Sequence, residues 1–454
     1  MDRRFEVRKA EMLADCEVVP AVFRGVLTRL EAFAEPFVAC LRRPEQRKHA
    51  HTYLGGLLSD VERKNAEAIA YRYDEERQGL QTFIGTAPWE YKPLLRELAR
   101  QVGQTLGEPD GVLALDPSAF PKKGNHSVGV KRQWCGRLGK VENCQVGVFL
   151  AYVSRHEQAL VNMRLYLPKE WINDRRRRKE CGVPREVRYQ TRQHMALEML
   201  AEQGPLLPHA WVTGDDEMGL PAEFRRELRQ RGERYLLAVP GYVSIRDLEQ
   251  EPPPYNPGHG RPPKVRFQQI QRWCRSLAVK DWCDVEVRDT EKGPLTVAIV
   301  TRRVVTMLEE RVGDEELLVV VRWTEEDGTL RYDYHFSNAR ADTPLEELAR
   351  VARAEHRIEQ CFERGKSEAG LAEYQIRTWL GWHHHFTLSL LATWFLIGET
   401  RRGKKMDAGN YCSSGSQTLG SDSARCLRMR YTRENSPRMH SLAATQRIGK
   451  VLSS

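Results

Sequence analysis

Asp116, Asp215 and Glu359 are the residues of this 454-residue chain whose types and settings point to chemistry. Each aspartate follows an apolar run of strand length, Val112-Leu113-Ala114-Leu115 in the first case and His209-Ala-Trp-Val-Thr-Gly214 in the second. Ligands in α/β sheets gather beyond the carboxyl ends of strands, so two such aspartates can define one pocket. Either aspartate alone also reads as a turn former or helix cap. The third carboxylate stands in Arg357-Ile-Glu359-Gln-Cys-Phe-Glu-Arg-Gly-Lys366. Glu359 and Lys366 fall on one side of a helix, and Ile358, Cys361 and Phe362 form its apolar side. As pattern alone this is an amphipathic helix with a charged wet face. Joined on one pocket, three carboxylates would hold two Mg²⁺ ions roughly 4 Å apart, the arrangement that cleaves phosphodiesters. Mn²⁺ would substitute, since both ions prefer hard oxygen ligands. Arg357 would add a bidentate phosphate contact and Lys366 a point charge.

The elements that must position these groups are legible as patterns. From about Glu6 to Leu106 apolar residues recur at three and four, as in Val22-Leu27-Leu30-Phe33, and predict several helices. Val128 to Trp134, Val146 to Val153 and Leu160 to Leu167 are runs of β-branched and aromatic residues joined by turns. A helix over Tyr189 to Glu202, the strand before Asp215, a helix over Pro221 to Arg231 and a strand over Tyr235 to Val239 alternate in the α/β manner. Pro252 to Pro263, with six prolines and two glycines, is a loop. Thr296 to Val305, Leu317 to Trp323 and Leu330 to Phe336 follow as strands, the last two joined by an Asp327-Gly328 hairpin turn. Helical periodicity then runs from Pro344 to about Leu396 with one break.

These patterns predict an N-terminal helical unit over 1–106, a candidate DNA-end-binding module in which no helix-turn-helix spacing is clear. A catalytic domain over 107–400 follows, with a β-rich insertion at about 241–340, and a basic disordered tail over 401–454. The balance of 71 basic against 62 acidic residues gives +9, which favours an anionic polymer as partner. Ten cysteines include no Cys-x-x-Cys pair, which argues against zinc and against a disulfide framework. The first fifteen residues lack the apolar core of a signal peptide, so a reducing cytoplasm is expected.

Other residues have rival readings. Lys122-Lys123, Lys131-Arg132 and Trp134 form either a basic and aromatic rim around the site or, for Trp134, part of the core. Asp174-Arg175-Arg-Arg-Arg178-Lys179 lines a DNA backbone or is a solvated loop. Consecutive side chains on a helix point about 100° apart, so His383-His384-His385 cannot chelate one ion and is expected at the surface or on DNA. Asp216, Glu363 and Glu368 compete with the chosen carboxylates. Asp215 and Asp216 would point to opposite faces of a strand, and the Arg-Ile-Glu setting with its step to Lys366 selects Glu359.

Several stretches resemble one family. Tyr53-Leu-Gly-Gly-Leu-Leu-Ser, Arg63-Lys-Asn, Leu115-Asp-Pro-Ser, Ser127-Val-Gly-Val-Lys-Arg-Gln and Gly139-Lys-Val-Glu-Asn-Cys-Gln-Val-Gly147 are similar to bacterial insertion-sequence transposases of the DDE superfamily. So are Leu165-Tyr-Leu-Pro, Val212-Thr-Gly-Asp215 with Gly219, Arg357-Ile-Glu359 and Gly381-Trp-His. The resemblance spans about Tyr53 to Leu396. It implies a ribonuclease-H-like α/β domain whose metal ligands are Asp116, Asp215 and Glu359, with Lys366 on DNA phosphate and a β insertion before the glutamate. It implies Mg²⁺-dependent cleavage of double-stranded DNA at mobile-element ends and strand transfer into a target by a homodimer holding paired ends. Lys123, Lys131, Arg132 and Arg357 are the further DNA contacts expected. The alternative is a catalytically inactive DNA-binding relic or regulator derived from such an enzyme. The sequence departs from the family where Met218 replaces a tyrosine and where Glu355 replaces an arginine one helical turn before Glu359.

Overall fold

The structure is a computed structural model that describes residues 25–410 apart from 253, 255–263, 291–292, 309–310 and 326. Expectations for the first 24 residues, for most of the proline-rich segment and for 411–454 lie outside the described residues.

Among the described residues five helices come first: α1 (Val26–Val38), α2 (Pro44–Leu58), α3 (Ala66–Arg72), α4 (Arg77–Gly85) and α5 (Lys92–Leu106). Local chemistry sets their starts. Proline occupies the first turn of α2 and α5, where a missing N–H costs nothing, and Asn65 caps α3 by accepting the Ala68 N–H at 2.8 Å. Strands β1 (Val112–Pro121), β2 (Lys131–Cys135), β3 (Lys140–Val153) and β4 (Gln158–Leu165) follow. Next are the helices α6 (Lys169–Asn173), α7 (Arg175–Glu180) and α8 (Arg192–Gln203), then β5 (Trp211–Gly214), α9 (Asp216–Gly219), α10 (Ala222–Gln230) and β6 (Tyr235–Ala238). The β-rich stretch comprises β7 (Ser244–Asp247), β8 (Gln268–Gln269), α11 (Ile270–Arg275), β9 (Cys283–Thr290), β10 (Gly293–Leu308), β11 (Arg311–Thr324) and β12 (Leu330–Ser337). Two long helices close the described chain, α12 (Leu345–Glu368) and α13 (Trp379–Asn410).

All twelve strands join one sheet, in which β4, β3, β1, β5 and β6 lie side by side. Strand β3 runs antiparallel to both β4 and β1, whereas β5 and β6 run parallel to β1. That order and direction are ribonuclease-H-like. The later strands extend the same sheet, because β12 pairs antiparallel with β6 through His335 opposite Ala238. A buried ion pair reinforces this junction: the Arg225 guanidinium on α10 donates to both Glu316 oxygens on β11 at 2.8 and 2.9 Å, and the Tyr235 hydroxyl donates to Glu316 at 2.6 Å. Arg225 also donates to the Gly219 and Leu220 carbonyls at the end of α9.

Strand β1 does not stop at Asp116 but continues five residues to Pro121. Beyond Leu115 it is paired with β3 on one side and no longer with β5 on the other, and that open edge accommodates Pro117 and Pro121.

Helix α13 is buried on every face from Trp382 to Ile397, including its polar residues His383, His384, His385, Thr387, Ser389 and Thr393. It packs beneath the sheet with α2 and α4 against its other side. Among the described residues no helix is long and apolar enough to cross a membrane. The break before α13 is a C-cap: Gly370 takes φ 66°, and the Leu371 N–H reaches back to the Gly365 carbonyl at 2.9 Å. Lys64, fully buried, donates its ammonium to the Leu57 carbonyl and, at 2.6 Å, to that of Glu368. One cation thereby serves the carboxyl ends of both α2 and α12, where the helix dipoles favour positive charge.

The expectation that His383, His384 and His385 lie at the surface or on DNA is overturned, since all three are fully buried. Three consecutive positions on a helix face three directions, and α13 has protein in each. His383 stacks on Tyr91 with ring centroids 4.7 Å apart. His384 stacks on Trp89 at 3.6 Å with its ring nitrogens at the Ile84 and Trp89 carbonyls. His385 Nδ1 meets the Tyr53 hydroxyl at 2.9 Å and Nε2 the Gly370 carbonyl at 3.1 Å. Burial depresses their basicity, to about 3 for His383 and His385 and about 4 for His384. The Trp89 and Ile84 carbonyls oppose the depression at His384, which in its neutral form can donate to only one of them.

A histidine held neutral when folded but protonated when unfolded contributes stability above the unfolded pKa of 6.5, lost as pH falls toward 3. The loss is on the order of 1.4 kcal/mol per histidine per pH unit. Asp116 and Asp215, whose pKa values are raised, act with the opposite sign. Denaturation midpoints at pH 7.5, 6.5 and 5.5 should therefore fall less steeply in His385→Gln than in the native chain. Equal slopes would show that His385 is not held neutral.

Candidate active site

The pairing of β1 with β5 sets Leu115 opposite Gly214 in parallel register, so Asp116 and Asp215 leave neighbouring strands at the same level. Asp215 is also the N-cap of α9, its Oδ1 accepting the Met218 N–H at 3.1 Å. The capping reading and the pocket reading thus describe one residue. Asp216 lies inside α9 rather than on a strand, and helix geometry separates it from Asp215.

Gly219 is required by close approach. A Cβ there would sit 1.8 Å from the Ala238 carbonyl oxygen on β6, so any side chain would push α9 off the sheet. Gly219→Ala is expected to lower unfolding free energy by about 1–3 kcal/mol or more and to reduce cleavage by displacing Asp215. Denaturant titration and a cleavage assay on one preparation would check it; native stability would show that β6 yields.

Helix α12 crosses this end of the sheet, resting on β1, β3, β4, β5 and β6. Its apolar side buries Leu348, Val351, Ala352, Ile358, Cys361 and Phe362. Glu355, Glu359 and Lys366 follow one another at helical spacing and act on Asp116. Burial first, then the carboxylates of Asp215, Glu355 and Glu359, raise Asp116 well above the usual carboxylate range, while Lys366 opposes them. Asp215 is pushed up to about 7, chiefly by burial; the Met218 N–H opposes this, and Glu217, Glu355 and Asp216 add to it. The Lys366 ammonium donates to the Ser118 hydroxyl, two residues beyond Asp116, at 3.2 Å.

The structure therefore brings together Asp116, Asp215, Glu359 and Lys366. It does not bring Arg357, whose guanidinium donates to the Ser154 and Arg155 carbonyls in the β3–β4 turn at 2.7 and 3.1 Å. Two positions from Glu359 is about 200° around a helix, so the residue adjacent in sequence faces away. Lys123 is exposed, Lys131 pairs with Glu170, and Arg132 is exposed farther along the β2–β3 hairpin. Glu363 is exposed, and Glu368 is buried at the end of α12 beside Lys64.

Glu355 is the residue that motif reasoning passed over, having registered it only as a missing arginine. Its carboxylate acts on both Asp116 and Asp215 and lies 3.8 Å from Nε2 of buried His335. Its place one turn before Glu359 was the available signal.

Among the described residues no three acidic, histidine or cysteine side chains already stand at ion-holding distance. The donor set nevertheless fits a hard divalent cation. It consists of carboxylate oxygens, and the raised pKa values of Asp116 and Asp215 register burial first and then repulsion from neighbouring carboxylates, both of which a bound cation would offset.

A ribonuclease-H-like sheet with carboxylates on adjacent central strands and on a crossing helix defines a phosphodiester-cutting class of protein. Residues 36–294 match the family described as DDE superfamily endonuclease, and the chain belongs to that family. The match includes Asp116 and Asp215 and ends before Glu359. The probable transposase for insertion sequence element IS701 of Microchaete diplosiphon is 31% identical over 131 residues, which cover 29% of this chain and 34% of that relative. The alignment thus spans about a third of the relative's length. A piggyBac transposase in a synaptic complex with hairpin DNA aligns over 93% of this chain and 83% of its own, with TM-score 0.37 and 9% identity.

Proposed function

We propose that this protein is a transposase that cleaves double-stranded DNA at the ends of a mobile element and joins the freed 3′ ends to target DNA. The observation that carries the reading is the side-by-side emergence of Asp116 and Asp215 beneath a helix bearing Glu359, in a member of the DDE endonuclease family. Asp116, Asp215 and Glu359 would hold Mg²⁺, or Mn²⁺ in its place. Bound there, the cations would supply Lewis-acid activation of the attacking oxygen and stabilisation of the leaving oxygen. Lys366, fixed by Ser118, would hold a phosphate beside Asp116. The β3–β4 turn occupies Arg357, so the proposed phosphate contacts are Lys366 near the carboxylates and the basic hairpin beyond them. Two element ends must be processed together, which favours a homodimer on paired ends.

The test is incubation of the full chain with Mg²⁺ and DNA carrying the element's flanking repeats, followed by product analysis. Donor 3′ ends covalently joined to target 5′ ends are expected. Cutting without joining would make the protein a nuclease, and binding without cutting in Mg²⁺ or Mn²⁺ would make it a DNA-binding relic.

A further inference from the structure

The β2–β3 hairpin has features that the carboxylate site does not use. Trp134, which could have been core, is 63% exposed, and its cross-strand partner Val141 is exposed as well. With Leu138 in the connecting turn, 43% exposed, they place three large apolar side chains in water on one hairpin, and a clustered exposed apolar patch marks an interaction surface. Beside it, the hairpin and α7 enclose a cavity of about 560 Å³ whose walls include Lys131, Arg132, Arg176 and Arg177.

The acidic groups in that wall are already engaged. Glu170 pairs with Lys131, Glu180 with Arg176 at 2.8 Å, and Asp174 caps α7 by accepting the Arg177 N–H at 2.9 Å. Among the described residues Arg177 meets neutral groups, the Asn125 carbonyl and the Trp171 ring at 3.8 Å, and Arg132 is exposed. Four cations against three carboxylates leave the wall one positive charge in surplus next to an exposed aromatic side chain, and the solvent-exposed Arg176–Glu180 pair is weak enough to release Arg176 to a phosphate. That combination suits a duplex, whose phosphates meet the cations while its sugar and groove edges meet the apolar patch.

The sheet register gives the distance. Asp116 lies opposite Phe149 on β3, and Trp134 opposite Val141, eight residues farther along the same strand. At ~3.3 Å per residue this is about 26 Å, or roughly eight base pairs at ~3.4 Å each.

We propose that the β2–β3 hairpin and α7 form a second duplex-binding surface, which grips the DNA about eight base pairs from the phosphate held at the carboxylates. Arg132 and Arg176 contact the backbone, and Trp134 packs against the DNA. The inference rests on the reading of the protein as a DNA-cutting enzyme.

The experiment measures binding of a fluorescent 30-base-pair duplex to the full chain across a series of salt concentrations, with Ca²⁺ replacing Mg²⁺ so that binding is read alone. Native chain, Trp134→Ala, Trp134→Phe and the double variant Arg132→Ala/Arg176→Ala are compared, with cleavage of the flanking repeats in Mg²⁺ assayed in parallel. The double variant should lower the slope of log K against log salt by about 2. Trp134→Ala should weaken binding about 5-fold through loss of apolar packing against the duplex, and Trp134→Phe should restore most of it. All these side chains are exposed, so native melting temperatures are expected. If the variants bind with native affinity and slope while the native chain cuts DNA, the second surface is overturned and the proposed function stands. If the native chain binds no duplex at all, both fall.

Discussion

Asp116→Asn is expected to abolish DNA cleavage and joining, with a fall of at least about 10³-fold, while DNA binding stays near the native value. The substitution keeps the shape of the side chain and removes its charge, and with it the anionic ligand that would hold a divalent cation against the phosphate. Metal-ion stabilisation of developing charge is worth several kcal/mol, and each 1.36 kcal/mol is a factor of ten in rate. Asp215→Asn and Glu359→Gln should behave alike, because all three carboxylates belong to one electrostatic cluster in which each neighbour raises Asp116. Stability should not suffer: removing one carboxylate from a mutually repelling group relieves strain, so the variants should unfold at or above the native midpoint. Single-turnover cleavage, filter binding and thermal denaturation on the same preparations would read all three quantities. Retained cleavage in Glu359→Gln with loss in Glu355→Gln would move the third ligand one turn along α12.

The second large effect concerns the join between the two parts of the sheet. Glu316→Ala should lower unfolding free energy by about 3–5 kcal/mol, because it leaves the Arg225 guanidinium uncompensated in the interior. Both side chains are 4% exposed, so water cannot replace the lost partner. The Tyr235 hydroxyl would lose its acceptor in the same step. Replacing both members, as in Arg225→Met with Glu316→Leu, should recover part of the loss, since apolar groups replace the ion pair at little cost while the Gly219 and Leu220 carbonyls and the Tyr235 hydroxyl still lose a partner. Denaturant titration of the single and double variants checks the pair, and a loss under 1 kcal/mol for Glu316→Ala would show that solvent reaches the site. Arg225 also holds the carbonyl end of α9, so Glu316→Ala should reduce cleavage through Asp215 even where the chain remains folded.

Local sequence was informative where one element decides the outcome. The apolar runs before Asp116 and Asp215 formed neighbouring strands, the periodicity from Pro344 to about Leu396 became α12 and α13 with a break at Gly370, and Asp327-Gly328 lies in the turn between β11 and β12. The seven-residue step from Glu359 to Lys366 placed both on the side of α12 that acts on Asp116, because a helix fixes that relation without help from the rest of the chain.

What depends on neighbours in space could not be read in this way. Whether His383, His384 and His385 met water or protein depended on α13 being enclosed on every side, and nothing in their own spacing encodes that. Arg357 appeared beside Glu359 in sequence yet turned to the β3–β4 turn, since the partner of a helical side chain is whichever strand lies under its face. Glu355 looked like a departure from a motif until α12 laid it over Asp116 and Asp215. The sequence by itself determined the carriers of charge and the elements that bear them, because composition and periodicity are local properties. Only the tertiary structure decided which charges share a field, because electrostatic coupling falls with distance in space and residues 99 and 144 positions apart have no fixed distance until the sheet and α12 close over them.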